Sequence, residues 1–279
     1  MKEKIKKIFV QLTSYLPDKS YLRIVYFFKM KKILHINNPK TYNEKLQYLK
    51  LKQKGKKFII CSDKYSVRNF IKEKIGEKYL IPLLWVGTNP KKIPFEKLPK
   101  SFVIKCNHAS GFNIIVSDKN NINKKEIIKK LEKWMKEDFW KRGREYNYKG
   151  INKKIIIEEY LGKNINDYKF LCFSGNPEVF FIATDRGIDT KFNFFDMNFN
   201  KLKIQQGYKT NKKELERPKK LTEMINISKK LAKNFPHVRV DLYEINNKIY
   251  FGELTFYHFS GWTKVNPEII DKKLGKLIK

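Results

Sequence analysis

Near the C-terminus, Val238-Arg239-Val240-Asp241-Leu242-Tyr243 and Tyr250-Phe251-Gly252-Glu253-Leu254-Thr255 flank a short turn-like stretch. Their alternation predicts two adjacent strands of a hairpin. Side chains two apart on a strand share a face, so Arg239 lies with Asp241 and Glu253 with Thr255. Two carboxylates, a hydroxyl and a guanidinium on one sheet face suit a Mg²⁺ ion clamped to nucleotide phosphates. Such an ion is usually held by one or two carboxylates, with phosphate oxygens and water completing its shell. The same residues would also make a surface ion-pair ladder of small energetic value.

A second group lies earlier. Lys105 ends an apolar stretch just before Asn107-His108-Ala109-Ser110-Gly111. Glycine lets backbone amides approach a phosphate closely, and the lysine supplies a point charge. The chain has no G-x-x-x-x-G-K-[ST] and no G-x-G-x-x-G, which removes Walker and Rossmann sites. The apolar stretch 155–157 runs into Glu158-Glu159-Tyr160-Leu161. Its backbone could meet an adenine edge, with the acids taking the exocyclic amine or ribose hydroxyls. A buried strand with a solvated acidic end reads the same way.

At 279 residues and 41% hydrophobic content, the chain can bury a real core. The formal charge of +33 invites a nucleic-acid partner. However, only seven of the 61 basic residues are arginine, the side chain suited to bidentate contacts, and the lysines are spread throughout. The charge therefore reads as compositional background with a secondary pull toward anionic membrane surfaces, and nucleic acid is not the expected partner. Cys61, Cys106 and Cys172 lack CxxC spacing, and the four histidines lack HxxxH or HExxH, so free thiols in a reducing cytoplasm and no zinc are expected. No secretion signal or membrane-spanning run is evident, which predicts a cytoplasmic chain, at most peripheral at the inner membrane face.

These groups need elements to position them. Residues 1–35 read as basic, partly amphipathic helices, with Ile5, Ile8, Phe9 and Leu12 on one stripe. Thr41 with Glu44 forms a capping box for a helix, and Ser62 or Asp63 can cap another over 64–74. A proline-rich passage ends near Pro99. Strands follow at 101–105 and 113–117, a long helix at 123–140, and strands at 154–161, 168–174 and 179–185, the last two joined by a Gly-Asn-Pro turn. A loop-rich stretch covers 186–215, a helix 221–234, and a helical tail 267–279. Helices and antiparallel strands in segregated groups indicate an α+β fold.

Set in order, six segments resemble the ATP-grasp enzymes, and specifically the teichuronopeptide-biosynthesis (TupA-like) family associated with bacterial surface polysaccharides. They are Asn38-Pro39-Lys40-Thr41-Tyr42-Asn43-Glu44-Lys45, Asp63-Lys64-Tyr65-Ser66-Val67-Arg68, Lys105-Cys106-Asn107-His108-Ala109-Ser110-Gly111, Asp167-Tyr168-Lys169-Phe170, the Arg239–Asp241 strand and Gly252-Glu253-Leu254-Thr255-Phe256. The likeness covers nearly the whole chain from about residue 20. It implies an ATP-grasp fold: an N-terminal helical region 1–99, a small α+β lid 100–161 and an antiparallel core 162–279.

The resemblance also implies ATP and Mg²⁺. Lys105 would contact the α/β-phosphates and the 107–111 loop (Asn107, His108, Ser110, Gly111) would close over the β/γ end. Glu158, Glu159, Tyr160 and Leu161 would frame adenine, Asp167 would face the ribose, and Lys64 would add a phosphate contact. Lys169 would lie near the phosphates or the acceptor, and Arg239 would stabilise charge during transfer. Asp241 and Glu253 would bind the metal. Thr255 stands where ATP-grasp enzymes commonly have asparagine, a weaker third ligand. The implied reaction activates a carboxylate as an acyl phosphate and joins it to an amine: an amino acid or peptide group on a sugar of a capsule, teichuronic-type polymer or lipopolysaccharide. His108, Tyr257 and His258 lie near the expected cleft. A glycosyltransferase or sugar kinase is the competing enzyme reading, although no Asp-x-Asp occurs. A basic nucleic-acid binder is the non-enzymatic one.

Overall fold

The computed structural model describes residues 13, 15–163 and 165–279, so the 5–12 stripe lies outside the described residues. Helices α1 (Asp18–Met30), α2 (Tyr42–Lys52), α3 (Lys56–Ser62) and α4 (Val67–Lys74) come first. The predicted capping box at α2 is present, with Thr41 accepting from the Glu44 amide and Glu44 from that of Thr41. The next helix starts later than expected. Asp63 accepts from the Tyr65 amide at 2.9 Å and the Ser66 hydroxyl at 2.7 Å, so residues 63–66 form a turn and helix begins at Val67.

A four-stranded antiparallel sheet follows, built from β1 (Leu83–Gly87), β2 (Phe102–Cys106), β3 (Asn113–Val116) and, after α5 (Lys124–Lys136), β4 (Ile155–Glu159), in the order β1-β4-β2-β3. β1 precedes Pro99, so this sheet is not confined to 100–161. Its sequence is short and bracketed by Pro82 and Pro90, which hid it in the loop-rich passage. The sheet has its own core, including Phe102, Ile104, Leu131, Ile155 and Ile157.

The larger sheet contains β5 (Asp167–Phe173), β6 (Asn176–Thr184), β7 (Lys191–Phe195), β8 (Lys201–Leu202) and, after β9 (Gln205–Gln206) and α6 (Leu221–Ala232), β10 (His237–Ile245) and β11 (Lys248–Thr255). Its order is β11-β10-β5-β6-β7-β8. β7 and β8 replace part of the expected 186–215 loop. The β5–β6 turn is Ser174-Gly175, both at positive φ, with Asn176 and Pro177 already in the strand. Likewise Asn246 and Asn247 both have positive φ between the paired Ile245 and Lys248. Two positive-φ residues make the hairpin turn that matches strand twist.

β12 (Val265–Asn266) pairs with β9, and α7 (Glu268–Leu277) closes the fold against α2. Helix α6 packs on β5, β6 and β10. Its Leu221, Met224, Ile227 and Leu231 share a core with Phe170, Val238, Val240 and Leu242. Burial of the alternate residues on these strands leaves the intervening polar ones, Lys169, Arg239 and Asp241, on the other face. No helix among the described residues is long and apolar enough to cross a membrane.

Candidate functional site

The ladders converge the hairpin chemistry. Asp241 opposes Glu253, and Arg239 opposes Thr255, across β10–β11; on its other side Asp241 opposes Lys169 of β5. The register shifts immediately after Asp241, where Gly252 is the additional residue on β11. A Cβ at Gly252 would lie 3.1 Å from the Asp241 carbonyl oxygen and 3.1 Å from the Tyr243 ring. This is a β-bulge beside the acids, a device that re-aims neighbouring side chains.

Arg239 is the hub. Its Nε donates to Asp241 Oδ1 at 2.6 Å, and Nη2 to Asp241 Oδ2 at 2.7 Å, Thr255 Oγ1 at 3.0 Å and Glu253 Oε1 at 3.1 Å. Because both acids reach one nitrogen, their oxygens can be no further apart than those two bonds laid end to end. Lys169 Nζ pairs with Asp241 Oδ2 and, at 2.7 Å, with Asp167 Oδ2, which also accepts from Arg186 at 2.5 Å. Arg239 Nη1 lies 2.6 Å from His258 Nδ1. An arginine has no acceptor, so Nδ1 is the bare nitrogen and Nε2 carries the hydrogen.

The smaller sheet faces this array. Lys105 Nζ pairs with Glu158 Oε2 at 2.6 Å, and Arg68 with Glu158 Oε1 at 3.0 Å. Lys64 Nζ donates to the Ala109 carbonyl. Lys64, Lys105, Ser110 and Gly111 line one side of a cleft of about 730 Å³, with Asp167, Lys169, Arg239, Asp241, Glu253 and Thr255 on the other. That volume is in the small-molecule range. Six cationic side chains, Lys64, Lys105, Lys169, Arg68, Arg186 and Arg239, therefore share the cleft and its recess with five carboxylates, Glu145, Glu158, Asp167, Asp241 and Glu253. The surplus is positive.

The fields act as this geometry requires. Burial alone would raise the Glu253 carboxyl, but Lys64, Arg239, Lys169 and Arg186 together pull it down to about 2. Burial pushes Asp241 up against the pull of Arg239 and Lys169. Lys64 is lowered by burial, partly countered by Glu253. His258 is held neutral by burial and by the nearby Arg239. Asp241 is 1% exposed, whereas 32% of the Glu253 side chain opens on the cleft.

Several expected contacts do not take the expected form. The Asn107 amide is committed to protein: it donates to Asp63 at 2.7 Å and to the Asn152 carbonyl at 2.9 Å, and accepts from the Lys154 amide at 2.7 Å. His108 is buried, with Nε2 3.1 Å from the Trp134 carbonyl. Both hold the 107–111 loop in place rather than facing the cleft. Asp167 lines the cleft and is held by Lys169 and Arg186. Glu159, Tyr160 and Leu161 line neither the cleft nor the adjoining apolar recess, whereas Glu158 lines the recess with Val67, Leu80, Ile81, Phe251 and Leu254. β4 itself ends at Glu159.

Arg186 and Glu145 also line the cleft, although no motif of the sequence marks either. A signal existed for the first: arginine is scarce in this chain, yet three of the seven, Arg68, Arg186 and Arg239, hold cleft-side carboxylates.

Among the described residues no group of three or more His, Cys, Asp or Glu side chains is placed to hold a metal ion alone. Asp241 and Glu253 nevertheless form an opposed pair whose donor set suits a hard cation that takes its remaining oxygens from phosphate. The Thr255 hydroxyl accepts from Arg239 and donates to Glu253 Oε1 at 3.2 Å.

No curated protein matches the chain. Among solved structures it is similar to the ATP-complexed D-alanine–D-alanine ligase of Bacillus anthracis (18% identity, TM-score 0.42, 71% of this chain and 54% of that one). It is also similar to the D-alanine–D-alanine ligase of Helicobacter pylori (16%, 0.42, 79% and 62%). A third is N5-carboxyaminoimidazole synthetase of Staphylococcus aureus (14%, 0.43, 77% and 52%). The chain spans less than two thirds of the length of each. The sequence profile described as TupA-like ATPgrasp matches residues 44–279, which include both sheets and every cleft-lining side chain named above, and the chain belongs to that family.

Proposed function

We propose that the protein is an ATP-dependent carboxylate–amine ligase, with the triphosphate between the two sheets. The carrying observation is the surplus of cations around an opposed pair of acids, Asp241 and Glu253. Phosphoryl transfer asks for positioning and charge neutralisation rather than covalent help, and these charged side chains supply both. Asp241 and Glu253 would hold Mg²⁺, which when bound neutralises charge on the phosphate oxygens. Thr255, bonded to Glu253, orients that carboxylate and reaches the ion only by releasing it.

Lys105 and Lys64, now on Glu158 and the Ala109 carbonyl, exchange those partners for phosphate oxygens. Ser110 and Gly111 close over the β/γ end. Arg239 and Lys169 steady the transferring group as it passes to a substrate carboxylate. An amine then attacks the acyl phosphate. The recess beside Glu158 suits adenine chemically, but its free volume of about 20 Å³ holds little more than one water. The smaller sheet must therefore swing away from the larger for nucleotide to enter, and it acts as the lid.

The finer substrate reading joins an amino acid or peptide group to an amine-bearing sugar of a surface polymer, and it rests on the family resemblance. A peripheral seat on an anionic membrane is supported by exposed Phe27, Phe28 and Ile33 beside Lys29, Lys31 and Lys32. The test is incubation with Mg-ATP, pooled amino acids and amino sugars. ADP, phosphate and a mass gain on the acceptor are expected. Asp241→Asn and Glu253→Gln should each cut turnover by roughly a hundredfold or more while the fold survives. Near-wild-type turnover in either variant would remove the metal assignment.

A further inference from the structure

We infer that Glu145, Tyr257, His258 and Ser260 form the seat of the second substrate, a cationic amine that also carries an oxygen, and that Glu145 takes the proton from its ammonium. The inference rests on the ligase reading above and extends it to the acceptor.

The first observation is electrostatic. Every other carboxylate of the cleft and recess is held by a lysine or arginine: Asp167, Asp241, Glu253 and Glu158. Glu145 also lines the cleft, but no direct ion pair holds it among the described residues; the buried Lys50 acts on it through the Ser260 hydroxyl that the two share. Its neighbour is Ser260. A Cβ at Gly143 would lie 2.8 Å from Glu145 Oε1 and 2.5 Å from Ser260 Oγ. Only a residue without a side chain lets these two groups converge.

The second observation is backbone strain. Phe259 and Ser260 have φ of 49° and 54°, followed by Gly261 at 64°. A non-glycine residue in this region costs of order 1–3 kcal/mol and persists only where the surroundings enforce it. Lys50, fully buried, donates to the Ser260 carbonyl and hydroxyl, both at 2.8 Å. Gln47 donates to the carbonyls of Ser260 and Gly261 at 3.0 and 2.9 Å. Helix α2 thus pins a strained turn against the cleft wall.

The third observation is unmet hydrogen bonding. Tyr257 Oη and His258 Nε2 belong to side chains 2% and 1% exposed, line the cleft, and have no partner among the described residues. A buried polar atom without a partner costs about 1–3 kcal/mol, which a ligand removes. With Nδ1 facing Arg239, His258 Nε2–H is a donor, so it seeks a substrate oxygen, while the Glu145 carboxylate seeks the ammonium. Tyr148 also lines the cleft, where burial first, then Glu145 and Glu253 together, raise its hydroxyl. Burial likewise raises the Glu145 carboxyl, against Lys50 and Ser260, making it a better proton acceptor.

In the step proposed, one ammonium proton passes to the Glu145 carboxylate. The freed nitrogen lone pair forms the C–N bond to the acyl carbon. The C–O bond to phosphate breaks, and phosphate leaves with that electron pair and the second nitrogen proton. The third hydrogen remains on the amide.

The test separates nucleophiles that need a base from one that does not. Wild type, Glu145→Gln and Glu145→Asp are given Mg-ATP and pooled amino acids, with either pooled amino sugars or hydroxylamine, which is largely uncharged near neutral pH. Amide and hydroxamate are measured by mass spectrometry. The amide-to-hydroxamate ratio should fall roughly a hundredfold in Glu145→Gln, the scale of a lost general base, and less in Glu145→Asp. An unchanged ratio, or equal loss of both products, overturns the assignment. If Glu145→Gln does not fold, the ratio in Glu145→Asp decides, a fall supporting the seat and parity overturning it. Wild type that makes hydroxamate but no amide overturns the amine seat alone. Wild type that makes neither overturns the ligase reading, and this inference with it.

Discussion

Arg239 shows how much depends on one side chain. Its guanidinium holds Asp241 through two nitrogens while also reaching Glu253, Thr255 and His258. A lysine keeps the charge but not the planar fork. Arg239→Lys is therefore expected to reduce Mg-ATP-dependent phosphate release by roughly 10²–10³-fold, checked by steady-state assay beside a urea midpoint. His237 gives a prediction in pH. Tyr42 donates to its Nε2 at 3.0 Å, its Nδ1–H faces the Cys172 carbonyl at 2.9 Å, and burial holds it down to about 3. The unfolded chain takes up this proton below about 6.5 and the folded one only near 3. Stability should thus fall as pH drops across that window, by about 1.4 kcal/mol per unit at most. Urea unfolding of His237→Gln should show a flatter acid limb; an equal slope would place the sensitivity elsewhere. Arg239, Asp241 and Glu253 were readable because strand period fixes their face. Arg186 and Glu145 were not, since each reaches the cleft from a loop or short turn whose path no periodicity encodes.

Elements were legible in proportion to how local their determinants are. The Thr41–Glu44 capping box needs four residues, and it appears as read. β1 depends on a partner far along the chain, Leu83 pairing with Glu158, and β7 on the preceding strand, Phe194 pairing with Phe181. Short runs of this kind gain strand character only from the ladder they join. The bulge at Gly252 is intermediate, because a glycine inside a strand flags a close approach but does not name the neighbour. That neighbour is the Asp241 backbone. Gly252→Ala is expected to crowd the Asp241 carbonyl and the Tyr243 ring, costing about 1–3 kcal/mol. It should also weaken Mg-ATP binding by turning Glu253 from its register. Calorimetric titration together with thermal unfolding checks this: a stable variant with unaltered nucleotide affinity would mean that the bulge does not aim the acid.

At the scale of the molecule, the two sheets have separate cores and meet across charge. The smaller is built on Phe102, Ile104, Ile155 and Ile157, the larger on Phe170, Phe180, Val240 and Leu254. Bridging them are polar contacts such as Lys64 to Ala109 and the Arg68–Glu158–Lys105 group, with the cation surplus between. Cores that do not merge can move as bodies, and the excess cations of the cleft attract an anion placed between them. Mg-ATP should therefore act as the missing counter-charge and draw the sheets together. Amide exchange in β2, β4 and the 107–111 segment should slow when Mg-ATP is added, with little change in β6 or α6, whose burial does not depend on the cleft. Asp241→Asn should lose most of that protection. Uniform slowing over both sheets would instead mean that the protein behaves as one rigid body and that nucleotide enters without the smaller sheet moving.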